Sequence, residues 1–370
     1  MRILHADSDD LDNPLRGGQP VRTFEVNSRL ADTHDITVLT ATYKGSRSQL
    51  TRAGVRYRRL GVTVPGWGLS SHLSFQARLP AALRALPHDL VVEEFAPPFG
   101  TCRLDRVTSK PIVALVQWFF FDEWERRYRL PFEDIMRRRT QRHPWRDVIV
   151  QSSQMGDYFR ALLPQANVHV VPCGIADEAF QQAVGRGDYA LFLGRLDTRH
   201  KGLDSLLSVW SSLHQQGMAI PLWVVGSGQD EAALRERVAA LGLDGVVQFK
   251  GRLEGAPKRA ALAGARFLVM PSRHETFGLV ALEAMASGRP VIAFDIPHLN
   301  ELLQPAWSIL APAEDLRGLA AAVRSAWLNP ELCSQLGASG QARARHYTWQ
   351  NIARMQNAIY LDASRRRPPS

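Results

Sequence analysis

Short apolar runs alternate with longer stretches of helical periodicity along most of the chain. The runs are rich in Val, Ile and Leu and have the length of strands that are buried on both faces. They predict strands at residues 2–6, 35–40, 89–94, 111–117, 147–151 and 168–171, and again at residues 189–193, 221–225, 246–250, 267–270 and 290–294. Helical periodicity is clearest at residues 73–86, 203–216, 230–241 and 277–286. Buried strands that alternate with helices indicate an α/β fold with parallel sheets.

The two series of strands are separated by a polar segment at residues 181–188, which contains Gly185 and Gly187 and is typical of a linker. We therefore predict two doubly wound, Rossmann-like domains at residues 1–175 and 176–348. In such folds the ligand lies at the carboxyl ends of the strands, so a substrate is expected in a cleft between the domains. The length of 370 residues agrees with two domains of about 100–200 residues each.

The composition is that of a globular protein. Hydrophobic residues make up 45% of the chain and charged residues 22%, which excludes intrinsic disorder, collagen and a disulfide-stabilised mini-protein. Cys102, Cys173 and Cys333 are too few and too scattered for a disulfide framework or a zinc site. The apolar runs are far shorter than the roughly 18–20 residues of a membrane-spanning helix, and the N-terminus has no signal-peptide core. We therefore expect a cytoplasmic protein.

The charge is less ordinary, since 45 Lys and Arg against 36 Asp and Glu give a formal net charge of +9. Such a balance suits nucleic acid, an anionic membrane surface or phosphorylated small molecules. Residues 1–175 carry 24 basic and 18 acidic side chains, residues 176–349 carry 17 of each, and residues 350–370 carry four basic and one acidic. The surplus therefore belongs to the N-terminal half and the C-terminal tail.

The most informative segment is residues 270–293, MPSRHETFGLVALEAMASGRPVIA, which is typical of a strand, a proline-bearing loop, a helix and a further strand. Glu275 lies in the loop, and Glu283 lies about two turns into the helix. Between them, residues 277–279 occupy the predicted helix N-terminus, where unpaired backbone N–H groups attract a phosphate. A phosphate cradle with a carboxylate on each side suits a ligand with vicinal hydroxyls, such as a ribose or a hexose. A capped amphipathic helix with incidental acids is the alternative, and His274 is the one histidine retained as a candidate.

A second strand–loop segment supplies positive charge. The run at residues 189–193 ends at Gly194, and Arg195 and Lys201 follow on the loop. A planar guanidinium fork and an ammonium point charge are a suitable pair for a diphosphate. Taken singly, either residue is more typical of a solvated surface cation.

Four motifs follow one another in the second predicted domain: Gly194-Arg195, Lys201-Gly202, Gly226-Ser227-Gly228, and Glu275 and Glu283 with seven residues between them. In this order they resemble the retaining glycosyltransferases with a GT-B fold. The resemblance points to their large fourth family, which includes phosphatidylinositol mannosyltransferases, sucrose synthases and lipopolysaccharide core glucosyltransferases. It is strong from about residue 189 to residue 295 and weaker elsewhere. It implies two Rossmann-like domains facing a cleft, with a C-terminal helix at 349–370 crossing back to the N-terminal domain.

The resemblance also implies roles for individual residues. Those expected to bind a nucleotide-sugar donor are Gly17, Gly18, Arg195, Lys201, Gly226, Lys250, Gly251, Arg252, His274, Glu275, Phe277, Gly278, Leu279 and Glu283. Arg195, Lys201 and Glu275 are the expected catalytic residues: the two cations would bind the diphosphate, and Glu275 would contact hydroxyls of the donor sugar. Glu283 would hold the ribose. No metal ion and no further cofactor is implied, because the cations and the helix dipole offset the charge on the leaving group.

The N-terminal domain would bind the acceptor, and here the sequence departs from the family. Many members carry a His, which contacts the donor sugar, at the end of the strand corresponding to residues 111–117. This chain has Gln117 and Trp118 there. Gln117 can form a hydrogen bond but cannot become cationic. The sequence therefore does not determine which sugar the donor carries. Asp7, also expected on the acceptor side, begins an Asp-Ser-Asp sequence for which acceptor contact or solvation is more typical than metal binding.

A basic segment with interleaved aromatic residues lies at residues 124–146. Its arginines are Arg126, Arg127, Arg129, Arg137, Arg138, Arg139, Arg142 and Arg146, and its aromatic residues include Trp124, Tyr128, Phe132 and Trp145. Such a pattern suits an anionic membrane surface or an acceptor that carries phosphate. A solvated helical face, balanced by Glu125, Glu133 and Asp134, is an equal alternative.

The residues and the resemblance together predict a retaining hexosyltransferase. It would move a sugar from a nucleotide diphosphate to a hydroxyl of a cell-envelope glycan, a glycolipid or a specialised metabolite. The resemblance to the family favours UDP over GDP as the nucleotide. The sequence does not decide whether the protein also makes peripheral contact with the inner face of a membrane. Two alternatives remain: a non-catalytic GT-B subunit that binds a sugar, and a basic nucleic-acid-binding protein. A nucleic-acid-binding function would not explain the paired cations and carboxylates of the C-terminal domain, so no nucleic acid is expected as a partner.

Overall fold

The computed structural model describes residues 1–13, 19–65, 69–95, 103–117, 129, 131–181, 187–297 and 299–366. The chain divides into two compact units. The first consists of Met1–Gly174 together with Trp349–Ser370, and the second of Ile175–Thr348. The last helix of the chain, Trp349–Arg365, therefore belongs to the first unit.

The first unit is built on an eight-stranded sheet. Its strands are β1 (Arg2–Ala6), β2 (Asp35–Ala41), β3 (Gln49–Arg52), β4 (Val55–Leu60), β5 (Leu90–Phe95), β6 (Ile112–Val116), β7 (Asp147–Val150) and β8 (Asn167–Val170). They lie in the order β3-β4-β2-β1-β5-β6-β7-β8, and neighbours are parallel except for β3 and β4. The helices are Gln19–Leu30, Ser70–Ala85, Phe132–Thr140, Ser153–Leu162 and Trp349–Arg365, with a 3-10 turn at Leu104–Arg106.

The antiparallel hairpin of β3 and β4 was not predicted from the sequence. Its turn places Ala53 and Gly54 at positive φ, 46° and 77°. Strand β4 has the sequence Val-Arg-Tyr-Arg-Arg-Leu, in which Val55 and Tyr57 are buried and Arg56 is exposed between them. A hairpin at the edge of a sheet buries only part of each strand. The sequence of such a strand alternates between apolar and polar residues and lacks the continuous apolar run of a central strand.

The second unit is built on a six-stranded sheet. Its strands are β9 (Tyr189–Leu193), β10 (Leu222–Val225), β11 (Val247–Gly251), β12 (Ala265–Met270), β13 (Val291–Asp295) and β14 (Ser308–Pro312). They lie in the order β11-β10-β9-β12-β13-β14 with all neighbours parallel. The helices are Thr198–Lys201, Leu203–Gln215, Glu231–Ala240, Gly255–Gly264, Leu279–Ala286, Leu316–Leu328 and Pro330–Ala344, with 3-10 turns at Asp177–Phe180 and Arg345–Tyr347.

Two further details of the second unit differ from the prediction. Strand β14, which contains Ser308 and ends at Pro312, was not predicted. The helix predicted from residue 277 begins at Leu279, because Gly278 adopts a left-handed φ of +85° and forms the N-cap. Residues 277 and 278 therefore belong to the loop and not to the helix.

The strands form the centre of each unit. In the first unit, one apolar core joins the helix Ser70–Ala85 to β1, β2 and β5, and another joins the helix Ser153–Leu162 to β6 and β7. Within the described ranges, no helix combines the length and the apolarity that crossing a bilayer requires.

Candidate functional site

The loops after β9 and β12 carry most of the residues that were predicted to bind a donor. The two strands are adjacent and parallel, so their carboxyl ends meet at the same edge of the sheet. The chain passes from β9 outward to β11 and then returns to place β12 on the other side of β9. Open α/β sheets bind their ligands at such a reversal of strand order.

Two glycines fix the loop that bears Arg195. A Cβ at Gly226 would lie 1.8 Å from the carbonyl oxygen of Gly194, and a Cβ at Gly228 would lie 2.2 Å from that of Leu196. Real Cβ atoms do not come so close to a backbone oxygen, so only glycine allows this contact. The Gly-Ser-Gly motif therefore has a packing role in addition to the donor contact expected of Gly226.

Arg195 is the more exposed of the two predicted phosphate-binding cations. Its side chain is 63% exposed, and its Nη2 lies 3.4 Å from Oδ2 of Asp197. Asp197 also caps the short helix Thr198–Lys201, where it accepts a hydrogen bond from the His200 backbone N–H at 3.2 Å. Exposed ion pairs are weak, so the Arg195 guanidinium can turn towards an incoming anion at little cost.

Lys201 and Glu275 form an ion pair that joins the two loops. Lys201 Nζ donates to Glu275 Oε1 at 2.6 Å, and Ser272 Oγ donates to the same oxygen at 2.8 Å. The lysine and glutamate side chains are 20% and 11% exposed. Both bonds end on one carboxylate oxygen, and the second oxygen has the lone pairs to accept from a sugar hydroxyl. The sequence predicted both charged residues but not that they form a pair.

Gly202 brings this ion pair together. It ends the helix Thr198–Lys201 in the left-handed region, with a φ of +64°. A Cβ there would lie 1.9 Å from the carbonyl oxygen of Pro271, the first residue after β12. A larger residue would force the two loops apart, and with them Lys201 and Glu275.

The loop after β12 is held by residues that were not predicted from the sequence. The Arg273 guanidinium donates to both carboxylate oxygens of Asp204, at 2.8 and 2.9 Å, and to the Thr198 carbonyl at 3.0 Å. Ser272, which donates to Glu275, is fully buried. Both lie within three residues of Glu275, and this closeness is the one signal that could have identified them. Asp204 is 69 residues from Arg273 in the sequence, so no local pattern indicates that pair.

No side chain caps the first turn of the helix Leu279–Ala286. Phe277 is buried, and Leu279 is 37% exposed. Gly278, the N-cap, has no side chain that could accept from the first turn. Backbone N–H groups at such a helix end are suited to an anion. His274 is exposed and lies edge-on to the His200 ring, with 5.7 Å between the centroids.

Glu283 is held by a lysine on a different helix. Lys258 Nζ, on the helix Gly255–Gly264, donates to Glu283 Oε1 at 2.6 Å. The two side chains are 30% and 21% exposed, so a ligand can reach them. Lys258 is one of only five lysines in the chain, a rarity that could have singled it out. The pair gives the predicted ribose-binding carboxylate a fixed orientation.

The end of β11 carries three of the residues that were predicted to bind the donor, Lys250, Gly251 and Arg252. Lys250 Nζ lies 4.0 Å from the centroid of the Trp223 ring, and Arg252 Nη2 donates to Glu254 at 2.6 Å. Gly251 has a φ of +68°, which turns the chain at the strand end. Lys250 thus lies against an aromatic ring, whereas the Arg252–Glu254 ion pair is exposed and therefore weak.

The residues predicted on the acceptor side lie in the first unit. Asp7 is completely buried and Gln117 is 9% exposed. Gly17, Gly18 and Trp118, which were also predicted, lie outside the described residues, as do Arg126 and Arg127 of the basic segment.

Two family models match the chain. The model described as a glycosyl transferase 4-like domain matches residues 17–174, and the model described as glycosyl transferases group 1 matches residues 187–329. The first match lies in the first unit and the second in the second unit. Together the matches cover most of the sequence.

Individual relatives agree with this assignment. The phosphatidyl-myo-inositol mannosyltransferase of Mycobacterium leprae is 30% identical over 228 residues, which are 59% of this chain and 60% of that protein. The chain thus matches less than two thirds of the length of that relative.

Solved structures show the fold. Sucrose-phosphate synthase from Thermosynechococcus elongatus has a TM-score of 0.82 and 21% identity, over 98% of both chains. Anabaena HepE in complex with UDP-glucose has a TM-score of 0.73 and 17% identity, over 98% of this chain and 100% of that one. The predicted GT-B fold is confirmed, and the chain belongs to family four of the glycosyltransferases.

Proposed function

We propose that the protein is a retaining hexosyltransferase that uses a nucleotide diphosphate sugar, with UDP favoured over GDP. One observation carries this proposal: the Lys201–Glu275 ion pair joins the segment after β9 to the loop after β12, and that loop leads into the helix Leu279–Ala286, whose first turn has no side-chain cap. A cation and free N–H groups suit a diphosphate, and a carboxylate next to them suits the hydroxyls of the attached sugar.

The proposed reaction breaks the bond between the anomeric carbon and the diphosphate oxygen. A bond from the anomeric carbon to the acceptor oxygen forms on the same face of the sugar. The acceptor proton passes to an oxygen of the departing diphosphate, so the products are a glycosylated acceptor and a nucleoside diphosphate. Lys201, Arg195 and the helix N–H groups would stabilise the charge on the leaving group. Glu275 would orient the sugar, and Glu283 the ribose.

The relatives support the choice of substrates. HepE was solved with UDP-glucose, which favours UDP as the nucleotide. The Mycobacterium leprae relative is named for a mannosyl donor and a phosphatidylinositol acceptor. We propose an acceptor of the same broad kind: a hydroxyl of a cell-envelope glycan, a glycolipid or a specialised metabolite.

Nucleoside diphosphates are expected to stabilise the folded protein. UDP at about 100 times its Kd should add roughly 2.7 kcal/mol to the free energy of unfolding. This corresponds to roughly 5–10 °C in Tm for a domain of this size. A thermal-shift series with UDP, GDP, ADP and their sugars tests it, with uridine as a control that lacks the diphosphate. Lys201→Ala should remove most of the shift, and no shift with any nucleotide would contradict the proposal.

The first unit also presents a basic surface. Its exposed arginines on and after the helix Phe132–Thr140 are Arg137, Arg138, Arg139, Arg142 and Arg146. Ile135 on the same helix is 41% exposed. Asp134 pairs with Arg137 at 2.8 Å. The five arginines outnumber the two acids of the helix, Glu133 and Asp134, so the segment is positive overall. We propose that this surface makes peripheral contact with the anionic inner face of a membrane, where a lipid acceptor would lie.

The protein should therefore co-sediment with phosphatidylglycerol vesicles at low salt and not with phosphatidylcholine vesicles. At about 1 kcal/mol for each basic side chain, alanine at Arg138, Arg139 and Arg142 should lower the partition coefficient about 100-fold. A triple alanine variant at Arg235, Arg317 and Arg324, which are exposed in the second unit, is the matched control. Equal recovery from both kinds of vesicle would refute membrane contact.

A further inference from the structure

The loop after β1 lies where the strand order of the first sheet reverses. From β1 the chain passes outward through β2 to the hairpin of β3 and β4, and it then returns to place β5 on the other side of β1. Open α/β sheets bind their ligands at such a reversal, outside the carboxyl ends of the strands. Residues 7–13, which follow β1, therefore occupy the ligand-binding position of this fold in the first unit.

One buried carboxylate organises this loop from within. Asp10 is 2% exposed. Its Oδ1 accepts from the Asp12 backbone N–H at 2.8 Å, and its Oδ2 accepts from the Thr40 hydroxyl at 2.7 Å. Its carbonyl oxygen accepts from the Asn13 backbone N–H at 3.0 Å. The turn at residues 10–13 is thus built around Asp10 and tied through Thr40 to β2.

An arginine from the hairpin of β3 and β4 balances the Asp10 charge. Arg59 Nε donates to Asp10 Oδ2 at 2.8 Å, and Arg59 Nη2 donates to Oδ1 at 3.1 Å, so the pair is bidentate. Both side chains are 2% exposed. Arg59 Nη2 also donates to Asp12 Oδ2 at 3.1 Å, and Nη1 donates to the Arg47 carbonyl at 2.9 Å. Arg59 therefore joins residues 10–12 to a strand that lies two strands away from β1.

Stability alone does not account for an ion pair at this depth. Taking both charges out of water offsets most of their attraction, and an apolar pair of similar volume is often equally stable. Two parallel hydrogen bonds between a guanidinium and a carboxylate, however, set both the distance and the angle between the groups. An apolar contact has no such direction. The bidentate pair is therefore suited to holding the loop in one conformation.

We propose that Arg59 is a positioning residue for glycosyl transfer: through Asp10 it holds residues 7–13 in the conformation that receives the acceptor. The inference rests on the proposed function, in which the first unit binds the acceptor. Without the pair, the loop samples other conformations, and the acceptor binds only those molecules in which the loop is ordered. Its apparent affinity falls in proportion to that fraction, whereas the rate at saturating acceptor is kept.

A double variant separates positioning from stability. Arg59→Met alone leaves the Asp10 charge buried without its partner and is expected to destabilise the first unit. Asp10→Asn combined with Arg59→Met buries no charge, and the new amide oxygen can still accept a hydrogen bond from the loop. Arg56→Met is the matched control. Arg56 lies on the same strand and pairs with Asp35 at the start of β2, but both side chains are about half exposed and lie at the opposite edge of the sheet from the loop.

Hydrogen-exchange mass spectrometry of the ligand-free protein tests the structural part. In the double variant the peptide covering residues 7–13 should exchange about tenfold faster than in the wild type, because local opening of the loop becomes easier. The helix Ser153–Leu162 in the same unit should exchange unchanged, and Arg56→Met should match the wild type in both segments. Arg59→Lys keeps the charge and loses the bidentate geometry, so its loop should also exchange faster. Unchanged protection of residues 7–13 in the double variant, or in Arg59→Lys if the double variant does not fold, would overturn the proposal.

Initial-rate kinetics test the functional part, with UDP-glucose as the donor and phosphatidylinositol in detergent micelles as the acceptor probe. In the double variant the KM for the acceptor should rise about tenfold, with kcat within about twofold of the wild type. The thermal shift with UDP should be kept, because most of the predicted donor contacts lie in the second unit. A variant that is only less stable loses active enzyme, which lowers kcat and leaves KM unchanged.

That pattern in the double variant, a lower kcat with an unchanged KM for the acceptor, would overturn the role of Arg59 in acceptor binding. A wild type that neither transfers glucose nor hydrolyses UDP-glucose would instead count against the proposed function. The exchange experiment would then decide whether Arg59 holds the loop.

Discussion

Replacing Glu275 with alanine is expected to lower kcat for sugar transfer by a factor of about 100 to 1000, the range seen when one preorganised stabilising group is removed. Glu275 accepts hydrogen bonds from both Lys201 and Ser272, and it is the carboxylate that we propose to orient the donor sugar. Binding of UDP alone should survive, because the variant leaves Lys201 free of its internal partner. Lys201→Ala should show the opposite pattern and weaken the binding of UDP itself.

Initial-rate kinetics with isothermal titration of UDP would separate these two effects. Glu231→Ala is a suitable control, since Glu231 also pairs with a cation, Arg235 at 2.8 Å, but lies on the surface. The double variant of Lys201 and Glu275 should lose less activity than the product of the single losses, because the two side chains contact each other.

The Glu275→Ala result also distinguishes the alternative functions. A non-catalytic sugar-binding subunit or a nucleic-acid-binding protein would show no transfer in the wild type and no loss in the variant. Full transfer activity in Glu275→Ala would contradict the catalytic role proposed for the loop after β12.

The central parts of both sheets could be predicted because their strands are buried on both faces. A strand such as β6, Ile-Val-Ala-Leu-Val, has no polar alternation and is recognisable from sequence alone. The edge hairpin of β3 and β4 was missed because its arginines interrupt the pattern, and one of them, Arg59, is itself buried against Asp10 at 2.8 Å. A buried ion pair cannot be recognised until its partner is known.

In the candidate site, too, some features could be predicted from the sequence and others could not. Arg195, Lys201, Glu275 and Glu283 were predicted as site residues from their residue types and spacing. The pairing of Lys201 with Glu275 and of Glu283 with Lys258 could not be predicted, because the partners are 74 and 25 residues apart. The buried hydrogen bonds that join Gln117 to Glu94 and to Gln151 were missed for a related reason, since these residues lie on different elements and the topology alone brings them together.

Gly202→Ala is expected to destabilise the second unit by about 3 kcal/mol or more, because two costs add. An L-residue in the left-handed region loses about 1 kcal/mol or more. The new Cβ, 1.9 Å from the Pro271 carbonyl oxygen, also forces the backbone to move. The Tm should fall by roughly 6–12 °C. Transfer should be largely lost even below the Tm, because the same shift separates Lys201 from Glu275.

Gly217→Ala is the matched control for this prediction, since Gly217 also has a positive φ, +82°, but a Cβ there meets no described atom within 4 Å. That variant should lose only the conformational cost, about 1 kcal/mol, and should keep its transfer activity. Calorimetric unfolding and kcat/KM, measured on both variants and the wild type, separate backbone strain from the contact with Pro271. If the two alanine variants are equally stable and equally active, the packing of Gly202 on Pro271 does not position the ion pair.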